Sequence, residues 1–540
     1  MSLTRRSLLV GLALGCTQVS VGHATGFNLD ETELALARRR AKQRRRRVIF
    51  NNDGDDIWTA GADTVQQFLG VRHTPLLDTH VDSIYYCTTQ SFNYFTHDTR
   101  VAEKFLSKQG QFGGNNLERF LEQDTDGLRM SSEFAHRHGL ESFWTLRMND
   151  VHDASTPAFL SEWKQQDPTR IMSRLEDVRQ LRDRRRLWSL VDFEHPDVEP
   201  TLLAIIKEVL VNYELDGIEL DFLRAPFYFR SSYEGRPATD EQVAVLTRLV
   251  RSIRGLVLRQ SEAQNKPFLL AVRVPVSTEL CRKIGIDISG WLQEQLIDSM
   301  ALGGGYIAFD APVSRLIQLG QQYGVPVYPC LSQSGLIVRP PRGNGNKQPP
   351  AAWFGAAQRF WAEGADGIYA FNLFPGPGSA EDRAYARNVL TALGSSDTLG
   401  ERDTTYSLCD AGWWMPAHYW AKDVEEFSTA LPVELQAQEY TRLKMGVAED
   451  LRGAGFGVTA ELRVDFTGLP HDAEVEVLYG SRNFGAQSGG QQIADVRRFV
   501  LDVPVPAIRQ GANRVMVRTN QVGVKLAGAE LWVKKGLDRP

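Results

Sequence analysis

An eight-stranded parallel β/α barrel followed by a small antiparallel β-sandwich is the fold that this 540-residue sequence predicts. From Arg47 to Leu393, short β-rich runs alternate with amphipathic helical stretches, and alternation of that kind builds a parallel sheet. The runs number eight, and the segment has the size of a (β/α)8 barrel carrying insertions. Beyond Leu393 helical periodicity gives way to short alternating runs separated by turn residues.

The eight runs are Val48–Asn52, Ser83–Thr88, Ser142–Asn149, Gly217–Phe222, Phe268–Val274, Ser299–Leu302, Val327–Leu331 and Gly367–Leu373. Between them, Val198–Tyr213 and Glu241–Gln260 repeat apolar residues at three- and four-residue spacing, as helices packed on a sheet require. A doubly wound sheet would place a glycine-rich phosphate loop after its first strand, and Asn51-Asn52-Asp53-Gly54-Asp55-Asp56 is not one. Gly394-Ser395-Ser396-Asp397 opens a connector in which Trp413-Trp414-Met415-Pro416 to Trp420 reads as a packed strap. The runs Ala460–Phe466, Ala473–Tyr479, Arg498–Val503 and Arg514–Arg518 then predict the sandwich. It shows no exposed aromatic row, which favours bracing the barrel over binding carbohydrate. The expected organisation is an export signal over 1–24, a basic linker or helix over 25–46, the barrel over 47–393, a connector over 394–430 and the sandwich over 431–540.

Composition narrows the function. Apolar residues make up 42% and charged residues 24%, which excludes a mostly disordered chain. The first 47 residues carry a net +7 against −5 overall, so the remainder stands at −12. An acidic body argues against nucleic acid as the main partner. Thr4-Arg5-Arg6-Ser7-Leu8-Leu9, the apolar run to Leu14 and a cleavage site after Ala24 match a twin-arginine signal, so a periplasmic or extracellular protein is expected. Cys16 is poorly placed for lipid attachment, and no stable membrane insertion is expected once the signal is removed. The tract Arg38 to Arg47 reads as a solvated helix face or linker. Cys87, Cys281, Cys330 and Cys409 lack metal-ligand spacing and are too few for a disulfide framework.

In a barrel the chemistry belongs at the C-terminal ends of the strands. On the fourth run Ile218, Leu220 and Phe222 share the helix-facing side, so Glu219 and Asp221 point into the barrel, with Asp221 nearer the mouth. On the third run Thr145, Arg147 and Asn149 face inward, and Asp150, His152 and Asp153 begin the loop above; on the fifth, Arg273 faces inward. Glu219 is expected in a buried ion pair and Asp221 in function. Asp55 and Asp56 read as an Asx-rich turn after the first run. The loop Trp188 to Pro196 delivers Trp188, Glu194 and His195 towards the mouth. Tyr85, Tyr86, Phe92, Tyr94, Tyr228, Tyr306 and Tyr328 are expected near strand ends, where sugar rings stack on such faces. Paired carboxylates with aromatic neighbours are the minimal equipment for glycoside hydrolysis. Asp53, Asp150, His152 and Asp153 could offer metal ligands, but their spacing matches no metal motif.

Three longer segments carry a family likeness: Ala135-His136-Arg137-His138-Gly139-Leu140 leading into Phe143-Trp144, then Val191-Asp192-Phe193-Glu194-His195-Pro196, then Tyr213 through Asp221. With them, residues 45–390 resemble the glycoside hydrolase family 10-like barrels, a bacterial group often described as glycosidases. Arg147-Met148-Asn149-Asp150 and Ala365 through Asn372 are similar to a subfamily of exported proteins in that group. The fourth run also resembles that of chitinase-like barrels, but their acid stands where Leu223 is, which disfavours chitinase chemistry. Amylase-like barrels place a nucleophile at the position of Asp221; here their strand arginine is replaced by Glu219, and Arg273 stands in place of the acid on the fifth strand, so the role passes to Asp221 only as an analogy.

The expectation is therefore an exported glycoside hydrolase acting on a poly- or oligosaccharide, with no cofactor and no metal. Asp221 is expected as nucleophile or base and Asp150 or Asp153 as acid. Arg147, Asn149, Glu194, His195, Arg224, Arg273, Trp188, Tyr306, Asn372 and Asp53 are expected to bind substrate. The alternative is a non-catalytic carbohydrate-binding barrel.

Overall fold

The computed structural model describes residues 31–178, 187–303, 309–332, 347–408, 431–452 and 457–536. Eight strands close a parallel barrel: β1 (Val48–Asn52), β2 (Val81–Cys87), β3 (Glu141–Arg147), β4 (Gly217–Asp221), β5 (Leu269–Val274), β6 (Ser299–Leu302), β7 (Val327–Leu331) and β8 (Ile368–Ala370). Each strand pairs with its sequence neighbour, and β1 closes on β8 through Val48↔Ile368 to Phe50↔Ala370. This is the expected TIM-barrel architecture. Strand boundaries differ from expectation mainly at C-terminal ends, where inward residues such as Asn149 leave the ladder for the loops.

The sequence cues act locally. Thr64, Thr239 and Ser379 each open a helix with a capping box, closed by Gln67, Gln242 and Asp382 respectively. Helices Val198–Asn212 and Asp240–Gln264 bury one face, including Ile205, Val209, Leu246 and Ile253, against the outward side chains of the strands. Trp144, Leu146, Ile218 and Leu220 belong to that outer core. Ile49, Tyr85, Phe143, Ala271, Tyr328 and Tyr369 form a separate core inside the barrel.

The basic tract is solvated in part, at Arg39, Arg40, Arg44 and Arg45, and bound at its other arginines. Glu31–Lys42 is a helix across the barrel floor; Arg38 pairs with Asp298 at 2.6 Å and Gln43 reaches the Gly324 carbonyl. Arg46 is buried: its Nε and Nη2 donate to Glu141 at 2.7 and 2.8 Å, and its Nη1 meets the Tyr328 hydroxyl at 3.3 Å. A guanidinium fits the floor because its planar fork matches one carboxylate and several carbonyls at once.

The C-terminal region is a sandwich of two antiparallel sheets. One runs Thr404–Leu408, Lys525–Lys534, Thr459–Thr467, Val496–Asp502, Gln491–Ile493, with Val433–Glu434 beside Lys525–Lys534; the other runs Thr441–Val447, Gly511–Thr519, Val475–Tyr479, Arg482–Gln487. Alternate residues such as Leu462, Val464, Val515 and Val517 fill its core. Thr404–Leu408 lies within the expected connector and packs on helix Pro350–Ala362. There a Cβ on Gly355 would stand 2.4 Å from the Thr405 carbonyl oxygen. The expected strap at Trp413–Trp420 and the export signal lie outside the described residues.

Candidate active site

Strand register builds the centre of the mouth. Arg147, Asp221 and Arg273 stand opposite one another across β3, β4 and β5. Arg273 donates its Nε to Asp221 Oδ1 at 3.0 Å, and its Nη2 contacts Oδ2. The Leu223 amide donates to the same Oδ1 at 2.8 Å. The Arg273 guanidinium crosses to the ring of Phe371, 4.4 Å away, while its Nη1 has no hydrogen-bond partner among the described residues. Asp221 and Arg273 are both buried.

One layer down, Glu219 accepts from Thr145 at 3.0 Å and from the Tyr369 hydroxyl at 2.9 Å, both on Oε2. Its Oε1 and the nearby Tyr85 hydroxyl are unpartnered. Burial pushes the Glu219 carboxyl up to about 7; Asp221 adds to the rise and Arg273 opposes it.

The loops after β1 and β3 form a second group above. Arg147 Nη2 lies 2.8 Å from Asp53 Oδ1, and Arg147 Nη1 lies 3.4 Å from Asp150 Oδ2. Burial works against the charge on Asp53, but Arg147, Arg224, Arg273 and Arg72 outweigh it and hold this carboxyl below its usual range. Gly54 permits the turn that presents Asp53: its φ is +73°, and a Cβ there would collide with the Cys87 carbonyl. Asp150 Oδ1 accepts from the His152 amide at 2.8 Å and lies 2.7 Å from His152 Nδ1. Arg224 Nη2 stands 2.7 Å from His152 Nε2. Arginine only donates, so Nε2 accepts and the ring proton sits on Nδ1, facing Asp150. Burial opposes ionisation of Asp150 as well, yet His152, Arg224 and Arg147 hold it far below the usual carboxylate range. That environment stores a negative charge. It does not suit the proton-donor role expected of the Asp150 carboxyl.

A cavity of about 650 Å³ opens over this group. Its walls include Asp53, Asp55, Trp58, Arg72, Arg147 and His152. Trp58 is fixed edge-on against Phe112 at 4.7 Å. Arg72 donates to Asn52 at 3.0 Å, contacts Asp55, and lies 3.6 Å over the Phe374 ring. Sequence reasoning missed Trp58 and Arg72 because both come from the non-periodic β1 loop and the helix after it. Asp56, read as part of a turn, is buried in a short 3-10 helix and accepts from Asn52 and Tyr86 at 2.8 and 2.9 Å.

Other expected residues sit elsewhere. Asn149 ties loops together, donating to the Val191 and Phe227 carbonyls and accepting from the Val191 amide. Asp153 is buried between Lys164 at 2.5 Å and Ser189 at 2.6 Å. Trp188 is buried, with Nε1 on the Ala154 carbonyl. Asn372, at φ 53°, follows β8 with its Oδ1 unpartnered. Glu194 and His195 line a different cavity, of about 590 Å³, beside Val245 and Arg248 of helix Asp240–Gln264. Of the aromatics expected as platforms, Tyr85, Tyr86, Phe92, Tyr228 and Tyr328 are buried core, and Tyr328 belongs to the floor. Tyr306 lies outside the described residues.

Among the described residues the titratable groups that converge closely enough to hold a metal ion are Asp167, His195 and Asp197, within 4.8 Å of one another. They suit one poorly: Asp197 is engaged by Arg170 at 2.6 Å, and His195 Nδ1 accepts from the Asp197 amide. Cys87, Cys281 and Cys330 are buried thiols.

No protein-family model and no curated protein matches this sequence. Solved structures similar to it include alpha-L-fucosidase isoenzyme 2 from Paenibacillus thiaminolyticus, at 16% identity over 67% of this chain and 51% of that one, TM-score 0.41. The chain thus spans about half the length of that fucosidase. The glycoside hydrolase domain of PgaB (BpsB) from Bordetella bronchiseptica is similar at 12% identity over 65% and 98% of the two chains, TM-score 0.40. An alpha-amylase from Geobacillus thermoleovorans is similar at 12% identity over 89% and 99%, TM-score 0.37. These neighbours are glycoside hydrolases.

Proposed function

We propose that the chain is an exported glycoside hydrolase that cleaves a poly- or oligosaccharide at the C-terminal mouth of its barrel. The observation that carries this reading is the Arg147–Asp221–Arg273 row, which sets a carboxylate at the end of β4 among fixed cationic donors. Asp221 is the nucleophile or base. The proton passes through His152, which lines the cavity: Asp150 holds its Nδ1–H, and Nε2 takes up a proton once Arg224 releases it and then gives that proton to the leaving oxygen. Asp53, Arg147 and Trp58 hold the sugar. Export rests on the twin-arginine segment, and kinship with family 10-like barrels on the sequence segments that suggested it.

A second reading, a binding barrel without turnover, is favoured by the complete enclosure of Asp221 and its pairing with Arg273. A glycan screen on the mature protein separates the two, scoring binding and reducing-end release for wild type and Asp221→Asn. Release by wild type and not by the variant supports the hydrolase. Binding with no release by either protein establishes the second reading.

A further inference from the structure

The charges around the cavity are arranged in depth. Arg147 and Arg72 are 4% and 5% exposed, whereas their partners Asp53 and Asp55 are 18% and 43% exposed. The cations therefore stand behind the anions, and a ligand entering the cavity meets carboxylate oxygens first. Among the described residues, the other guanidiniums of the mouth, Arg224 and Arg273, are matched by Asp150 and Asp221. A carboxylate only accepts hydrogen bonds. Two of them at the cavity wall, each backed by a deeper arginine, call for a ligand rich in O–H donors and disfavour one that carries its own negative charge.

We infer that this cavity selects uncharged sugar rings, whose hydroxyls donate to Asp53 and Asp55, and excludes uronates and sulfated sugars. The inference rests on the carbohydrate-active reading above and adds the class of substrate to it. The arginines of the mouth thereby serve to hold the carboxylate acceptors in place, and do not themselves capture an acidic sugar. Trp58, on the same wall, supplies the apolar face that a neutral ring can cover.

The test is a binding and cleavage panel on the whole protein. Neutral glucan, galactan, mannan and xylan oligosaccharides are set against oligogalacturonate, sulfated galactan and chitosan oligosaccharides of matched length. Neutral chains are expected to bind at least about tenfold more tightly than any anionic chain. Asp55→Asn, a change at an exposed position, is expected to narrow that gap by about tenfold. An anionic chain bound as well as the best neutral one overturns the inference, as does a clear preference for cationic chitosan or an Asp55→Asn protein with unaltered discrimination. Neutral binding without cleavage sinks the hydrolase reading and leaves the selectivity standing. Binding of nothing in the panel overturns both.

Discussion

The floor and the mouth of the barrel are built from the same pair, a buried arginine on a buried carboxylate, and they finish it differently. At the floor, Arg46 spends its donors on Glu141, Tyr328 and the carbonyls of Ala41, Lys42 and Arg44, and Glu141 takes a further bond from Ser83 at 2.6 Å. At the mouth, Arg273 Nη1, Glu219 Oε1, and Oδ1 of both Asn51 and Asn372 have no hydrogen-bond partner among the described residues. A closed network fixes one structure, whereas an open one leaves donors and acceptors able to meet a ligand. The contrast matches the division of labour expected of the two ends of such a barrel.

The largest effect should come from breaking the floor. Arg46→Met leaves Glu141 buried without its cation and is expected to lower stability by about 3–5 kcal/mol in denaturant unfolding. Adding Glu141→Leu should restore most of that loss, because two apolar groups desolvate at no electrostatic cost. A double variant as unstable as the single one would mean that the floor is not a self-contained pair.

Next in size is a pH effect at the mouth. The folded Glu219 carboxyl stands near 7, against an ordinary value of 4.5. The folded state therefore holds this proton more tightly than the unfolded one. The associated stability is present in full below about pH 4.5 and is lost as pH rises towards 7, by up to about 3 kcal/mol. Glu219→Gln should flatten unfolding free energy across that window; a wild-type slope that survives in the variant would place the titration elsewhere.

Asp221→Asn should cost somewhat less, about 2–3 kcal/mol: the amide oxygen still accepts from Arg273 Nε and the Phe371 ring still faces the guanidinium, but the amide NH2 now meets Nη2 and Arg273 loses its anion. A loss as large as that of Arg46→Met would erase the distinction between the ends. Smallest is Asp55→Asn, expected to change unfolding free energy by about 1 kcal/mol, because Asp55 is the exposed side of its pair and buried Arg72 keeps its bonds to Asn52 and the Gly376 carbonyl. A larger change would show that Asp55 supports the fold as well as lining the cavity.

What could be read from the sequence follows the periodicity of the chain. Strands betray their inward side chains every second residue, so the row Arg147, Asp221, Arg273 was legible before any coordinates. Glu219 was legible as a buried group, though its partners proved to be Thr145 and Tyr369 as much as Arg273. Loops carry no such period. Trp58 and Arg72 come from the short 3-10 helix after β1 and the helix Val65–Arg72 beyond it, whose placement only the folded chain defines, and Asn149 and Asp153 are taken up in tying loops down. The basic tract misled for another reason: a run of arginines looks uniform, and only packing singles out Arg46 as the one that is sealed inside. In the sandwich, strands such as Arg482–Gln487 alternate too weakly to stand out from turns.

The helix Glu31–Lys42 has a bearing on how the protein faces its surroundings. It is bound across the floor through Arg38 and Asp298, at the end of the barrel opposite the cavity. A support attached at the helix Glu31–Lys42 would meet the barrel at its floor, with the cavity turned away from it.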